Sequence, residues 1–435
     1  MRRFLLLSLL LILAFPVIAQ DDSAVPIPDA MPLVDEAGQT ITNILLIGAA
    51  TEYSENNPGL TDTLMIVSVN QDTGHIAMVS IPRDLYVYIP DIGMRKINQT
   101  YFLAERQEAG TGIDTLYATL EYNLGIQMDY YVRVDFDSFP AVVDSVGGLD
   151  ITVDCAIQDW RLIEPDLDKT VEENWEMFTL WSGLHHMDGD TALWYVRSRR
   201  TSSDLDRNRR QQDVLRALWR RIRSEGLLEN FPQLWEQFNN LVETDIELPN
   251  AIQFLPLAVD LDPSALEYYT FRINREVTQG YTQDGEGRFI LTPIREEMID
   301  LMQQVVAPTT SSRLNRDIPT IAIYNGSNVI GLDYVAAHRL ESEGFRVIIT
   351  GEPASPRNYN LIVDHTGISR NNPVGDIQRV LSVTDEGVQV DADPERTYDY
   401  ELYIGASYQY FSCTYPVEQP VREDETEEIE TTSTD

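Results

Sequence analysis

From Ile41 to Ile47 the chain reads ITNILLI, a continuous apolar run that stops at Gly48, as expected of a strand buried on both faces. Thr63 to Asn70 (TLMIVSVN) and His75 to Ile81 (HIAMVSI) repeat the pattern, and Gln71-Asp72-Thr73-Gly74 between them reads as a hairpin turn. Leu85 to Ile89 alternates as a short strand, and Tyr101 to Arg106 reads as a helix. Asp114 to Leu124 spaces Leu116, Leu120 and Leu124 four apart, which predicts a helix with Asp114 at its start. Tyr130 to Phe136 is a predicted strand, Phe139 to Val146 a helix ended by Gly147-Gly148, and Leu149 to Val153 another strand. Alternation of this kind predicts an α/β domain layered around one central sheet. After Asp154 a polar, acidic insertion runs to about Asn174 and offers no readable chemistry. Ala192 to Val196 (ALWYV) is apolar and reads as a buried strand. An arginine-bearing loop follows, then a helix with Val214, Leu215, Leu218 and Ile222 along one face. Leu227 to Val306 is mostly helical in pattern, with short strands at Leu266–Arg272 and Gly287–Leu291 and a closing helix at Met298–Val306.

Residues 307–317 form a Ser/Thr-rich linker of low apolar content, and a second small domain follows at 318–410. Its pattern is β-α-β-β-α-β: strands at Ile321–Tyr324, Phe345–Thr350, Tyr359–Asp364 and Tyr398–Gly405, helices at Asp333–Glu343 and Asp376–Leu381. Residues 411–435 are acidic and Thr-rich and read as a disordered tail. At the other end, Arg2 and Arg3 precede the apolar run Phe4–Leu13, then Pro16 and Ala19. That order describes a secretory signal peptide over residues 1–19, with a short uncleaved anchor as the alternative, because the run is shorter than the roughly 20 residues of a membrane span. Residues 20–40, with Pro26, Pro28 and Pro32, read as an exposed linker, which leaves 41–306 as the main domain.

Charge sharpens this picture at one place. The 435-residue chain carries a formal net charge of -38, which opposes binding to nucleic acid. Yet Ala192 to Arg223 holds ten arginines against Asp204, Asp206 and Asp213. Arginine is a permanent cation whose planar fork fits two phosphate or carboxylate oxygens. Arg197 and Arg199, read as leaving one strand face, are candidate anion ligands. Arg200, Arg209 and the stretch from Arg216 to Arg223 read as ordinary helix surface. Lys96 and Asn98 suit a capping role or a functional one. Cys155 and Cys413 are a candidate disulfide in an exported chain. The five histidines show no metal-binding spacing and read as surface or satisfied side chains.

Six segments fall in the order of a known family: Asn43–Gly48 (NILLIG), Thr61–Met65 (TDTLM), Ser80–Asp84 (SIPRD), Lys96–Asn98 (KIN), Asp135–Gly148 (DFDSFPAVVDSVGG) and Leu193–Gln212 (LWYVRSRRTSSDLDRNRRQQ). Together they resemble the LytR-CpsA-Psr family of cell-wall glycopolymer transferases over about Ile41 to Val306. Ile321–Gly331 and Leu402–Ala406 resemble the small domain often found at the C-terminus of that family. The resemblance implies an α/β/α sandwich around a central mixed sheet, followed by a small α/β C-terminal domain. It implies transfer of a glycopolymer from a polyprenyl-pyrophosphate membrane carrier to a peptidoglycan acceptor, with Mg²⁺ as cofactor, at the extracytoplasmic face. By position, Asp62 resembles a magnesium ligand, Arg83 a catalytic pyrophosphate ligand and Asp84 its neighbour. Arg197, Arg199, Arg207 and Arg210 resemble pyrophosphate-binding arginines, and Asp204 and Gln211 fill the remaining polar positions. Elementary chemistry agrees: cleaving a pyrophosphate needs rigid cations around developing negative charge, usually with Mg²⁺. Two positions depart from the family pattern. Ala50 stands where a second metal aspartate is usual, and Leu60 where an arginine is common. These departures set out the alternative, a polyprenyl-pyrophosphate-binding protein or scaffold with weakened catalysis.

Overall fold

The computed structural model describes residues 26–49, 59–201, 204–224, 226–261, 266–282, 287–306, 319–327, 329–343, 345–369 and 372–410, without the side chains of residues 204, 205, 227, 229, 260, 342, 352, 353, 409 and 410. The expected signal peptide, Ala50, the 307–317 linker, Cys413 and the acidic tail lie outside them.

The first strands, β1 (Ile41–Ala49), β2 (Thr61–Asn70) and β3 (Ile76–Ile81), form an antiparallel meander at the predicted places. A short hairpin, β4 (Tyr86–Ile89) and β5 (Gly93–Lys96), leads to α1 (Thr100–Gln107) and α2 (Gly112–Leu124). Then come β6 (Tyr130–Val134), α3 (Ser138–Ser145), β7 (Leu149–Val153), the hairpin β8 (Ile157–Leu162) and β9 (Trp175–Leu180), β10 (Gly183–Met187), α4 (Gly189–Arg197) and α5 (Asp204–Ser224). The domain closes with α6 (Phe231–Asn239), β11 (Glu243–Thr244), α7 (Leu248–Gln253), α8 (Leu255–Asp260), β12 (Leu266–Thr270), β13 (Val277–Tyr281), β14 (Phe289–Pro293) and α9 (Arg295–Val306). The central sheet is mixed, in the order β11-β6-β1-β2-β3-β12, with β6 parallel to β1 and β12 parallel to β3.

Both faces of this sheet are covered, which is why its middle strands read as unbroken apolar runs. On one face Leu45, Ile47, Leu64 and Ile66 share a core with Leu116, Leu120 and Leu124 of α2 and with Met298, Met302 and Val305 of α9. Across the other face lies α5, tied to β3 and β12 through Gln212, with α4 packed against it. They join a second core of Val143, Leu149, Ile151, Tyr195, Val196, Val214 and Ala217 that covers the β7–β10 ribbon. The result is the α/β/α sandwich around a mixed sheet. Residues 26–40 are mostly exposed but pinned: Met31 and Val34 pack against the core, and Met31 N–H bonds to the Tyr122 carbonyl and Val34 N–H to that of Gly125, both at 2.8 Å. The Arg295 guanidinium donates to the carbonyls of Asp29 and Ala30.

The second domain runs β15 (Thr320–Asn325), α10 (Leu332–Ser342), β16 (Arg346–Pro353), β17 (Leu361–Asp364), α11 (Val374–Leu381), β18 (Val388–Val390) and β19 (Tyr400–Ile404). Its five strands lie in the order β16-β15-β19-β17-β18. Ile321, Ile323, Leu402 and Ile404 pack beneath Val335, Ala336 and Leu340 of α10 and Ile377 and Leu381 of α11. The short β18 adds one strand to the predicted pattern.

Two sequence expectations are corrected. Ala192–Val196 is not a strand; it is the middle of helix α4. Asp188 caps that helix by accepting the Thr191 N–H at 2.9 Å, and the buried residues Ala192, Tyr195 and Val196 fall at helical spacing. The start of α4 lies against α3 so closely that a Cβ on Gly189 would sit 2.2 Å from the Pro140 carbonyl oxygen, which is why glycine stands there. Arg216 is also not a surface residue. It is 7% exposed, its Nε donates to the Tyr268 hydroxyl at 2.9 Å, and its guanidinium lies 4.2 Å from that ring.

Candidate functional site

The site is built where β1 and β2 end. Their pairing runs regularly to Gly48 opposite Thr63 and then shifts, so that Ala49 faces Thr61 and Asp62 has no partner across the strand pair. A bulge of this kind re-aims a side chain at a sheet edge. Gly48 permits it: a Cβ there would lie 2.9 Å from Cβ of Thr63. The next residue on the β2 side, Thr61, is fixed by its hydroxyl to the Asn98 carbonyl at 3.1 Å.

Asp62 faces two arginines from distant parts of the chain. Its Oδ1 lies 3.3 Å from Nη1 of Arg83, and its Oδ2 lies 3.5 Å from Nη2 of Arg199. Arg83 follows β3, and its Nε is 3.7 Å from Oδ2 of Asp84. The other Asp84 oxygen is held by Nζ of Lys96 at 2.7 Å. Arg197, the last residue of α4, lays its guanidinium over the Phe136 ring at 4.1 Å. Burial lowers the Arg197 pKa, Asp62 opposes that, and Arg199 adds to it, so both of these charges reach Arg197. It remains a cation.

These groups give four cations (Arg83, Lys96, Arg197, Arg199) to two carboxylates (Asp62, Asp84). Arg83 and Lys96 are between a fifth and a quarter exposed, and Arg199 is 41% exposed, so the surplus positive charge is open to a ligand. Such a site suits a polyanion that brings its own negative charge.

Of the residues singled out from sequence, the fold brings together Asp62, Arg83, Asp84, Arg197 and Arg199. The geometric reason given for Arg197 and Arg199 is replaced: one ends a helix and the other lies in the loop after it. Arg207 is buried on α5 at 2% exposure. Arg210 donates to the backbone carbonyls of Tyr195 and Ser198, the second at 2.6 Å, and so clasps α5 to the end of α4. Gln211 is half-buried on α5. Its neighbour Gln212 makes the tie to the sheet, donating to the Ser80 hydroxyl at 2.9 Å and to the Tyr269 carbonyl at 3.3 Å.

One supporting residue was not legible at all. Asp159, on β8 in the acidic insertion, accepts from the Ser198 hydroxyl and the Arg199 N–H, both at 2.8 Å, and from the Arg200 N–H at 3.2 Å. Burial raises its pKa, but these donors outweigh burial and the net shift is downward. The same hairpin holds α4 through the Trp194 indole N–H, which donates to the Trp160 carbonyl at 2.9 Å. Asp159→Ala is expected to free the arginine loop and raise the KM for an anionic donor about tenfold, the scale of one charged hydrogen bond. Steady-state kinetics beside a thermal melt check this, and an unchanged KM would dismiss the bracing role.

Among the described residues no group of three or more His, Cys, Asp or Glu side chains is placed to hold a metal ion. Asp84 is held by Lys96 at 2.7 Å, whereas Asp62 keeps only the longer contacts to Arg83 and Arg199 at 3.3 and 3.5 Å, which makes Asp62 the more open carboxylate of the cluster. One carboxylate with phosphate oxygens completing the shell fits how Mg²⁺ is held at phosphoryl sites.

The family model described as LytR_cpsA_psr matches residues 21–290. A curated relative from Oceanobacillus iheyensis, named polyisoprenyl-teichoic acid–peptidoglycan teichoic acid transferase TagU, is 32% identical over 208 residues, covering 47% of this chain and 59% of its own length. The Bacillus subtilis protein named as the TagT transferase of the same kind is 29% identical over 260 residues, covering 56% of this chain and 76% of its own. Among solved structures, the crystal structure of B. subtilis TagV is similar with a TM-score of 0.51 at 23% identity, covering 62% of this chain and 99% of that one, a likeness of fold.

Proposed function

We propose that this chain, which belongs to the LytR_cpsA_psr family, is an exported transferase that moves a glycopolymer from a polyprenyl-pyrophosphate carrier to a peptidoglycan hydroxyl. The observation that carries the reading is the cluster around Asp62, in which Arg83 from the end of β3 converges with Arg197 and Arg199 from the end of α4. The names of the relatives, which specify a polyisoprenyl-linked teichoic acid and peptidoglycan, supply the substrate class.

In this reading the acceptor oxygen attacks the phosphorus that carries the glycan. The new phosphodiester P–O bond forms as the bridging P–O bond of the pyrophosphate breaks, and polyprenyl phosphate leaves with the bridging oxygen. The hydroxyl proton passes to a base. Arg83 and Arg199, held against Asp62, orient the two phosphates, and Arg197 adds a third fixed positive charge where negative charge grows. Asp62 would hold Mg²⁺, which supplies Lewis-acid stabilisation of the phosphate oxygens. The test incubates the purified chain with Mg²⁺, a polyprenyl-pyrophosphate-linked glycan and peptidoglycan. Release of polyprenyl phosphate with labelled wall is expected, and binding without release sinks the transferase reading.

The second reading, a carrier-lipid binder with weakened turnover, draws on the single carboxylate at the centre of the cluster and on Ala50. Ala50→Asp separates the two. An increase of about tenfold or more in turnover at low Mg²⁺ favours a weakened site, on the scale of a restored metal-site interaction. Unchanged turnover removes that reading.

A further inference from the structure

We propose that His338 of the C-terminal domain is a positioning residue for the phosphate site, because it locks that domain onto α5, the helix whose Arg210 clasps the end of α4 next to Arg199. This rests on the transferase reading above for its effect on activity, though not for the existence of the dock.

His338 lies on α10 and is buried between two carboxylates of the main domain. Its Nδ1 is 3.1 Å from Oδ1 of Asp154, just after β7, and its Nε2 is 2.9 Å from Oδ1 of Asp213, on α5. Side-chain exposure is 8% for His338 and 9% for Asp213. Two carboxylates on opposite ring nitrogens need two N–H donors, and only the imidazolium has both. The same arrangement rules out one shared metal ion, since the two ring lone pairs point in opposite directions. Burial disfavours the imidazolium, yet Asp213 and Asp154 outweigh it and push the pKa up to about 10.

Neighbouring groups extend the lock. The Arg339 Nε is 3.6 Å from Oδ2 of Asp154, and its Nη1 donates to the Tyr408 hydroxyl at 3.0 Å. Asp154 precedes Cys155, which is disulfide-bonded. Further along α5, Arg220 pairs with Glu341 of α10 at 2.8 Å. Within one helical turn of Asp213, Gln212 ties α5 to β3 and β12, and Arg210 clasps the end of α4. The residue after Ser198 is Arg199, on Asp62. The dock therefore grips α5 at the turn that fixes the arginine loop. A cavity of about 430 Å³ lies beside it, lined by Thr201 of that loop and by Arg209 as well as by His338.

The test uses the full chain with His338→Gln, His338→Arg and Asp213→Asn. In His338→Gln the amides of residues 204–224 are expected to exchange with deuterium about tenfold faster or more, as a locally loosened element does. The KM for the pyrophosphate donor rises about tenfold while kcat stays within about twofold, because bound donor restores the loop. His338→Arg, which keeps a cation, recovers part of both effects. Asp213→Asn, which leaves the Asp154 contact in place, reproduces them more weakly and stands in should His338→Gln fail to fold. Native exchange over 204–224 and native donor KM in a folded variant overturn the proposal. Faster exchange with no turnover in any form, wild type included, upholds the dock and sinks the transferase reading instead.

Discussion

Arg83→Ala is expected to lower release of polyprenyl phosphate by about two to three orders of magnitude, the scale of losing one preorganised donor to a developing oxyanion. Its guanidinium reaches Asp62 with Nη1 and Asp84 with Nε, so the side chain is held on two sides before any ligand arrives. What it contributes is a fork already aimed. Folding is expected to be little affected. Arg83 is a quarter exposed, Asp84 keeps Lys96 at 2.7 Å, and Asp62 keeps Arg199 at 3.5 Å, so neither carboxylate is left alone. Arg83→Lys keeps the charge and loses the fork, and should fall between wild type and alanine. Pre-steady-state release of labelled lipid, read beside a melting curve, measures both effects. A loss of activity matched by an equal loss of melting temperature assigns Arg83 to the scaffold, and full activity in Arg83→Ala dismisses the pyrophosphate assignment.

The sequence showed the parts of this site that are written locally. Asp62, Arg83 and Asp84 stood out only through their resemblance to the family's motifs, whereas the strands ending at Gly48 and Ile81 could be read within a few residues, since an apolar run and its stop are local. Ala192–Val196 failed that method. Five apolar residues rich in aromatic and branched side chains fit a strand as well as one side of a helix, and the deciding group, the Asp188 cap, lies outside the run. Pairings across the fold left no local trace. Asp159 lies 40 residues from the Arg199 amide it holds, and His338 lies 184 and 125 residues from its two carboxylates. The reading of His338 as a satisfied histidine holds, but its satisfaction comes from the other domain. Arg216 shows why an arginine count misleads. At a helical position that reads as surface it serves packing, with Tyr268 covering its planar face.

Stability of the docked chain is expected to peak in mildly acidic solution and to fall as pH rises toward 10. The His338 pKa is raised from about 6.5 to about 10, so its contribution is complete below 6.5, shrinks as pH climbs, and is gone above 10. Asp154 works at the other end. Burial raises its pKa, but the His338 imidazolium and Arg339 outweigh burial and hold it at about 2, so its contribution is present above 3.8 and lost as pH falls toward 2. The groups facing the imidazolium leave it as the one that titrates in the alkaline window. Burial pushes the Tyr408 phenol up to about 12, and Tyr195 of α4 is raised well above its ordinary value, first by burial and then by Asp213. Arg339 stays charged, its pKa raised by Tyr408 and Asp154 against burial, and Arg209 of α5 is a permanent cation. Removing one member of a buried, hydrogen-bonded charge cluster costs about 3–5 kcal/mol. At pH 6 wild type should therefore melt roughly 10 °C above His338→Gln. By pH 10.5 the two melting curves should nearly meet, because wild type has lost the proton that the variant never had. A gap of equal size at pH 6 and pH 10.5 would mean that His338 holds the domains by shape rather than by charge.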